Sequence, residues 1–353
     1  MAERVLMKGN EALAEAAIQA GCKHFFGYPI TPQTEVAAYM SKRLPKIGGT
    51  YLQAESEVAA INMVQGAAAA GIRAMTSSSS PGISLKTEGI SYMAGADVPC
   101  VIVNIQRGGP GLGGIQPSQA DYWQATKATG HGDFQIFVFA PSSVQEMVDL
   151  IGVAFDKADQ YRMPAMILGD GMLGQTMEPV VIPEGGKELP EKPWALSGHQ
   201  GRREHNVVNS LYLSPAELER LIRERFARYE VVKQNEVRYE EFLTDDADYI
   251  IVAYGATSRI AKSAAKAARE QGIKAGVLRP ITLWPFPEKA IAAAAEKAQA
   301  ILTVEMSMGQ MVDDVRLAVG GRCPVHFFGR TGGIIPTPNE IIDELKKLAG
   351  GAK

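Results

Sequence analysis

With 353 residues, 46% hydrophobic and 21% charged, the chain has room for two domains and the balance of a soluble globular protein. With a net charge of −3, nothing points to nucleic acid or an acidic membrane surface as a partner. No apolar run is long enough to cross a bilayer, and the early acids of "MAERVLMKGNEALAEAA" leave no signal-peptide core, so a cytoplasmic location is expected.

Residues 1–182 read as alternating strands and helices. "RVLMKG" is a strand, and Asn10 can cap a helix through "EALAEAAIQA" that Gly21 ends. "KHFFGYP", "TYLQA", "IRAMTSS", "PCVIVNIQ", "FQIFVFAP" and "PAMILGDG" are short and mostly apolar. Strands of that kind are buried on both faces, which predicts a doubly wound parallel sheet. Residues 183–245 read as a linker carrying a charged amphipathic helix. Ser214 caps that helix and Pro215 opens it. Residues 246–353 repeat the strand–helix alternation from "ADYIIVAYG" to "CPVHFFGR".

Ligands in such sheets bind beyond the carboxyl ends of the strands. Four stretches fall there. In "GYPITPQTE" two prolines stiffen a turn around Thr31. Its hydroxyl could donate to a ligand or cap the following helix. In "AESEVAAINMVQGAAAAG", Glu55 and Glu57 open a helix that is small or apolar around most of its circumference. Such a helix is expected to be buried against another subunit, and a carboxyl at its tip suits proton exchange with a ligand nitrogen. The serines of "MTSSSSPG" can cap the helix that follows. In "VNIQRGGPGLGG", Arg107 is suited to hold a carboxylate, and the glycines let backbone approach or loop over a ligand. Gly109, Gly111 and Gly114 satisfy GxGxxG, but Pro110 interrupts it and no acid follows at the next strand end. A dinucleotide site is therefore rejected.

The cysteines at 22, 100 and 323 form no cluster motif and the histidines no metal pair, so neither an iron–sulfur cluster nor a protein metal site is expected in this chain. Thr31, Glu57, the serines and Arg107 together suit a 2-oxo carboxylate beside a nitrogen heterocycle.

The stretches "HFFGYPITPQTEV", "AESEVAAINMVQGAAAAG", "MTSSSSPGISLKTEGISYMAGADVPCVIVNIQRGGPGLGG" and "QPSQADYWQA" resemble the alpha subunit of 2-oxoacid:ferredoxin oxidoreductases. "YGATSRIAKSA", "LRPITLWPFP" and "VEMSMGQM" resemble the same family's C-terminal domain. The branched-chain (2-oxoisovalerate) type is nearest, ahead of the 2-oxoglutarate and pyruvate types. The resemblance implies an α/β fold: a thiamine-diphosphate pyrimidine-type domain over 1–182 and a transketolase-C-like domain over 246–353 that serves subunit assembly. It implies oxidative decarboxylation of a 2-oxoacid to acyl-CoA, with ferredoxin reduced in anaerobic metabolism. A beta subunit would hold the diphosphate and Mg²⁺. Gamma and ferredoxin-like delta subunits would complete the complex, with iron–sulfur clusters on the partners. By the same resemblance Glu57 is the catalytic glutamate on the pyrimidine nitrogen, Thr31 and Arg107 bind substrate, and Tyr28 and Pro29 touch the cofactor. A non-catalytic nucleotide-binding or scaffold subunit is the alternative.

Overall fold

The computed structural model describes residues 4–127, 129–186 and 188–350. Its principal sheet has seven strands. Their spatial order is Thr282–Trp284, Phe137–Phe139, Ala165–Asp170, Val101–Gln106, Ala74–Ser78, His24–Gly27 and Thr50–Gln53. All neighbours run parallel except the first pair. The central strand Val101–Gln106 is buried along its whole length. β-Branched residues dominate it, as expected where both faces pack under helices.

A second sheet has the order Val325–Gly329, Ala300–Glu305, Tyr249–Val252, Ala275–Pro280 and Tyr239–Phe242. Its last strand is antiparallel and comes from the segment read as linker. The charged helix of that segment spans Pro215–Asn235, with the Ser214 hydroxyl accepting from Glu217 N–H at 3.5 Å. The "RVLMKG" strand does not enter the parallel sheet. Val5–Lys8 pairs antiparallel with Met177–Val180 in a separate ribbon, leaving Val5 and Leu6 exposed.

The two units are tied by buried polar contacts. Thr282–Trp284 completes the edge of the first sheet. Gln119 donates to the Tyr254 carbonyl at 2.9 Å and accepts from Thr257 Oγ1 at 2.8 Å and Met306 N–H at 3.0 Å. Arg279 forms a two-pronged pair with Glu146, both contacts at 2.7 Å. A forked guanidinium fixes orientation as well as charge.

Strand order reverses at His24–Gly27, whose neighbours in the sheet are the next two strands of the chain. Connections then leave on opposite faces and open a crevice at the carboxyl ends. The four stretches singled out in the sequence follow the four strands around that reversal.

Candidate functional site

Glu57 is the first residue of the helix Glu57–Ala69. Ser56 caps that helix, accepting from Ala59 N–H at 3.2 Å. This cap fixes where the helix starts and so which acid turns inward. Glu57 is buried at 6% exposure, while Glu55, two residues earlier, is exposed. Among the described residues no hydrogen bond reaches the Glu57 carboxylate. The helix is not covered all round within this chain, since Val58, Asn62 and Gly66 stay exposed along one face.

The serine run forms the wall opposite. A Cβ on Gly82 would overlap Ser78 Oγ and lie 2.7 Å from Glu57 Oε1, so only glycine permits this approach. The Ser78 and Ser79 hydroxyls are buried and have no hydrogen-bond partner among the described residues. Lys86 is wholly buried and donates to Thr76 Oγ1 at 3.0 Å. Burial pushes its amine down to about 8, and the Glu57 charge opposes that. Ser80 does not cap the short helix Pro81–Ser84, contrary to the capping expected of this run. Its hydroxyl is engaged elsewhere: it donates to Asp121 Oδ2 at 2.6 Å.

Arg107 is buried at 7% exposure. Its guanidinium donates to the Thr31 carbonyl at 2.9 Å and the Leu112 carbonyl at 3.1 Å. Its Nε is buried without a partner, and no carboxylate among the described residues pairs with it. An arginine held only by carbonyls keeps its full charge for an anion. The glycine-rich loop closes on itself, with Gly108 N–H donating to the Gln116 carbonyl and Gly114 N–H to the Gly108 carbonyl, both at 2.9 Å. No helix starts inside it, in line with rejection of the dinucleotide motif.

Thr31 is exposed and is not a helix cap. The helix Thr34–Arg43 begins three residues later, with Gln33 at the cap position. Pro32 and Gln33 intervene because Gln33 is turned into the core, where its side chain accepts from Ser77 Oγ at 2.5 Å and donates to the Tyr28 carbonyl at 3.3 Å. The Thr31 side chain is exposed while its carbonyl serves Arg107. Tyr28 and Pro29 are exposed on the same turn.

Asp170 of "LGDG" is committed to its own backbone. Its Oδ1 accepts from Met172 N–H at 2.9 Å and Leu173 N–H at 3.0 Å, and burial pushes its carboxyl up to about 6. Among the described residues no group of three His, Cys, Asp or Glu side chains is placed to hold a metal ion.

Sequence reasoning missed Lys86, Asn104, Gln106 and Asp121. The signal was present in "VIVNIQ". An Asn and a Gln inside an otherwise apolar buried strand must find partners.

Residues 15–241 match the family described as "Pyruvate flavodoxin/ferredoxin oxidoreductase, thiamine diP-bdg". Residues 247–341 match "Pyruvate:ferredoxin oxidoreductase core domain II". The chain belongs to the 2-oxoacid:ferredoxin oxidoreductase family. Such a subunit works within a multi-subunit oxidoreductase. Ketoisovalerate oxidoreductase subunit VorB of Methanothermobacter thermautotrophicus is 49% identical over 349 residues, covering 98% of each chain. The 2-oxoglutarate synthase subunit KorA of the same organism is 37% identical, covering 99% of this chain and 100% of its own. The solved 2-oxoglutarate:ferredoxin oxidoreductase from Magnetococcus marinus, with 2-oxoglutarate, coenzyme A and succinyl-CoA bound, matches with a TM-score of 0.87 at 27% identity. It covers 98% of this oxidoreductase subunit, which spans 65% of that longer chain. An inactive split-gene transketolase tetramer shares the fold at a TM-score of 0.59 and 14% identity. No helix among the described residues is long and apolar enough to cross a membrane.

Proposed function

We propose that this subunit supplies the pyrimidine-facing half of a thiamine-diphosphate site in an enzyme that oxidatively decarboxylates branched-chain 2-oxoacids to acyl-CoA and CO2, reducing ferredoxin. The observation that carries this is the Glu57 carboxylate: buried, without a hydrogen-bond partner among the described residues, and at the carboxyl edge of the sheet where strand order reverses. The surroundings fit an aminopyrimidine ring. Gly82 packs closely against Glu57, and the buried Ser78 and Ser79 hydroxyls of the same run have no hydrogen-bond partner among the described residues. When bound, the cofactor supplies the electron sink that lets a 2-oxoacid lose CO2.

Glu57 would hydrogen-bond the pyrimidine ring nitrogen and hold the proton that must move there. Arg107 would take the oxoacid carboxylate on its free Nε edge. The Thr31 hydroxyl would donate to the same substrate, with Tyr28 and Pro29 against the cofactor. The loop around Leu112 would shield the site from water. A beta subunit would hold the diphosphate and Mg²⁺. Gamma and ferredoxin-like delta subunits with their iron–sulfur clusters would carry electrons to ferredoxin, and coenzyme A would accept the acyl group.

Preference for a branched-chain oxoacid is supported by the higher identity to VorB than to KorA. A panel of 2-oxoisovalerate, 2-oxoglutarate and pyruvate on the co-purified complex, read by viologen or ferredoxin reduction, tests it. The expected kcat/KM is highest for 2-oxoisovalerate. A higher value for either other acid would refute this substrate assignment.

A further inference from the structure

We propose that Asp121, acting through the Ser80 hydroxyl, is a positioning residue that holds Arg107 in place for the oxoacid carboxylate. This rests on the reading of Arg107 as the carboxylate anchor.

The Ser80 backbone sits at φ 27° and ψ −84°, in the left-handed half of conformational space. A non-glycine residue stays there only when its surroundings over-determine it. Three contacts do so. Ser80 N–H donates to Asn104 Oδ1 at 3.1 Å. The Ser80 hydroxyl donates to Asp121 Oδ2 at 2.6 Å. Asn104 Nδ2 donates to that same Asp121 oxygen at 2.9 Å. With its proton committed to Asp121, the Ser80 oxygen accepts from Arg107 N–H at 3.0 Å. Asp121 itself is tethered to the strand, its N–H donating to Gln106 Oε1 at 3.1 Å.

The geometry therefore runs from Asp121 to the backbone of Arg107 through one hydroxyl. The carboxylate determines which way that hydroxyl points. Without it, the serine proton is free to turn to the Arg107 carbonyl, which lies 3.2 Å away. No cation among the described residues pairs with Asp121. Burial pushes its carboxyl above the usual range, against the bonds from Ser80 and Asn104. An ion pair would have been the simpler way to hold this carboxylate, and its absence leaves orientation of Ser80 and Asn104 as the work the group does. A rigid Arg107 backbone matters because displacement by about 1 Å at a substrate anchor costs on the order of 100-fold in rate.

The test uses the assembled complex with 2-oxoisovalerate as varied substrate. Asp121→Ala is expected to raise KM at least ~10-fold with kcat within ~3-fold. In an Arg107→Ala background the same change should alter KM by less than ~2-fold, because the group it positions is gone. Asp121→Asn keeps an oxygen acceptor and should leave KM close to the parent value. Ser80→Ala, which removes the acceptor for Arg107 N–H, should raise KM even if Asp121→Ala fails to assemble. An unchanged KM in Ser80→Ala, or an equal KM rise from Asp121→Ala with and without Arg107, overturns the proposal. If Arg107→Ala alone leaves KM unchanged, it is the anchor reading that fails.

Discussion

The Arg107 guanidinium donates to the Thr31 carbonyl oxygen at 2.9 Å, across 76 positions of sequence. This one contact joins the proline-stiffened turn to the glycine-rich loop, because a second nitrogen of the same side chain holds the Leu112 carbonyl. The turn supplies a carbonyl to the arginine and leaves the Thr31 side chain exposed. The loop is fastened over the same group.

Arg107→Lys tests that arrangement. A lysine keeps the charge but loses the fork that spans two carbonyls and would meet the proposed substrate carboxylate. Losing one charged hydrogen bond costs about 1.5–3 kcal/mol, so KM for the oxoacid should rise about 10- to 100-fold in steady-state assays of the complex. An unchanged KM would place the substrate carboxylate elsewhere.

Gly82→Ala bears directly on the pocket proposed for the cofactor. The added methyl would overlap Ser78 Oγ and crowd Glu57 Oε1 at 2.7 Å. Overpacking of this kind costs about 1–3 kcal/mol. Thiamine diphosphate affinity, measured by titration calorimetry on the assembled complex, should fall at least ~5-fold. Equal affinity would mean the pyrimidine end of the cofactor does not bind beside Glu57.

Lys86 makes a prediction about pH. Its amine is lowered from 10.5 to about 8 in the folded chain. The charged form is thus disfavoured by folding. That penalty is full below about pH 8 and disappears as pH rises through 10.5. Lys86→Met should therefore be more stable at pH 7, by up to about 3 kcal/mol, with the gain shrinking toward pH 10.5. Urea unfolding of the complex at several pH values measures this. A gain that does not vary with pH would show that Lys86 is not a buried cation.

Gln119→Ala addresses the contact between the two units. Its side chain satisfies three buried groups at once. Leaving them unpaired should cost about 2–4 kcal/mol. Urea unfolding should shift accordingly, and a loss under about 0.5 kcal/mol would show that water replaces the side chain.

The sheet strands were legible because apolar runs such as "VIVNIQ" and "MILGD" have few other ways to bury both faces. Glu57, Thr31 and Arg107 were legible as residues at strand ends. The antiparallel additions were not. Thr282–Trp284 and Tyr239–Phe242 are held by partners far along the chain, and no local period records that. The cap at Thr31 was misread because Pro at a first helical position is a local rule, whereas the inward turn of Gln33 onto Ser77 is a tertiary one. The Ser80–Asn104–Asp121 contacts join three segments, so residue types alone pointed only to caps.

The most direct measurement is oxoacid-dependent electron transfer by the Glu57→Gln complex. Glutamine keeps the shape and one hydrogen bond but cannot hold the moving proton. The variant's kcat should fall at least ~100-fold, in the range of general acid–base catalysis, with the complex assembled as before. Turnover equal to the parent enzyme would contradict this role for Glu57.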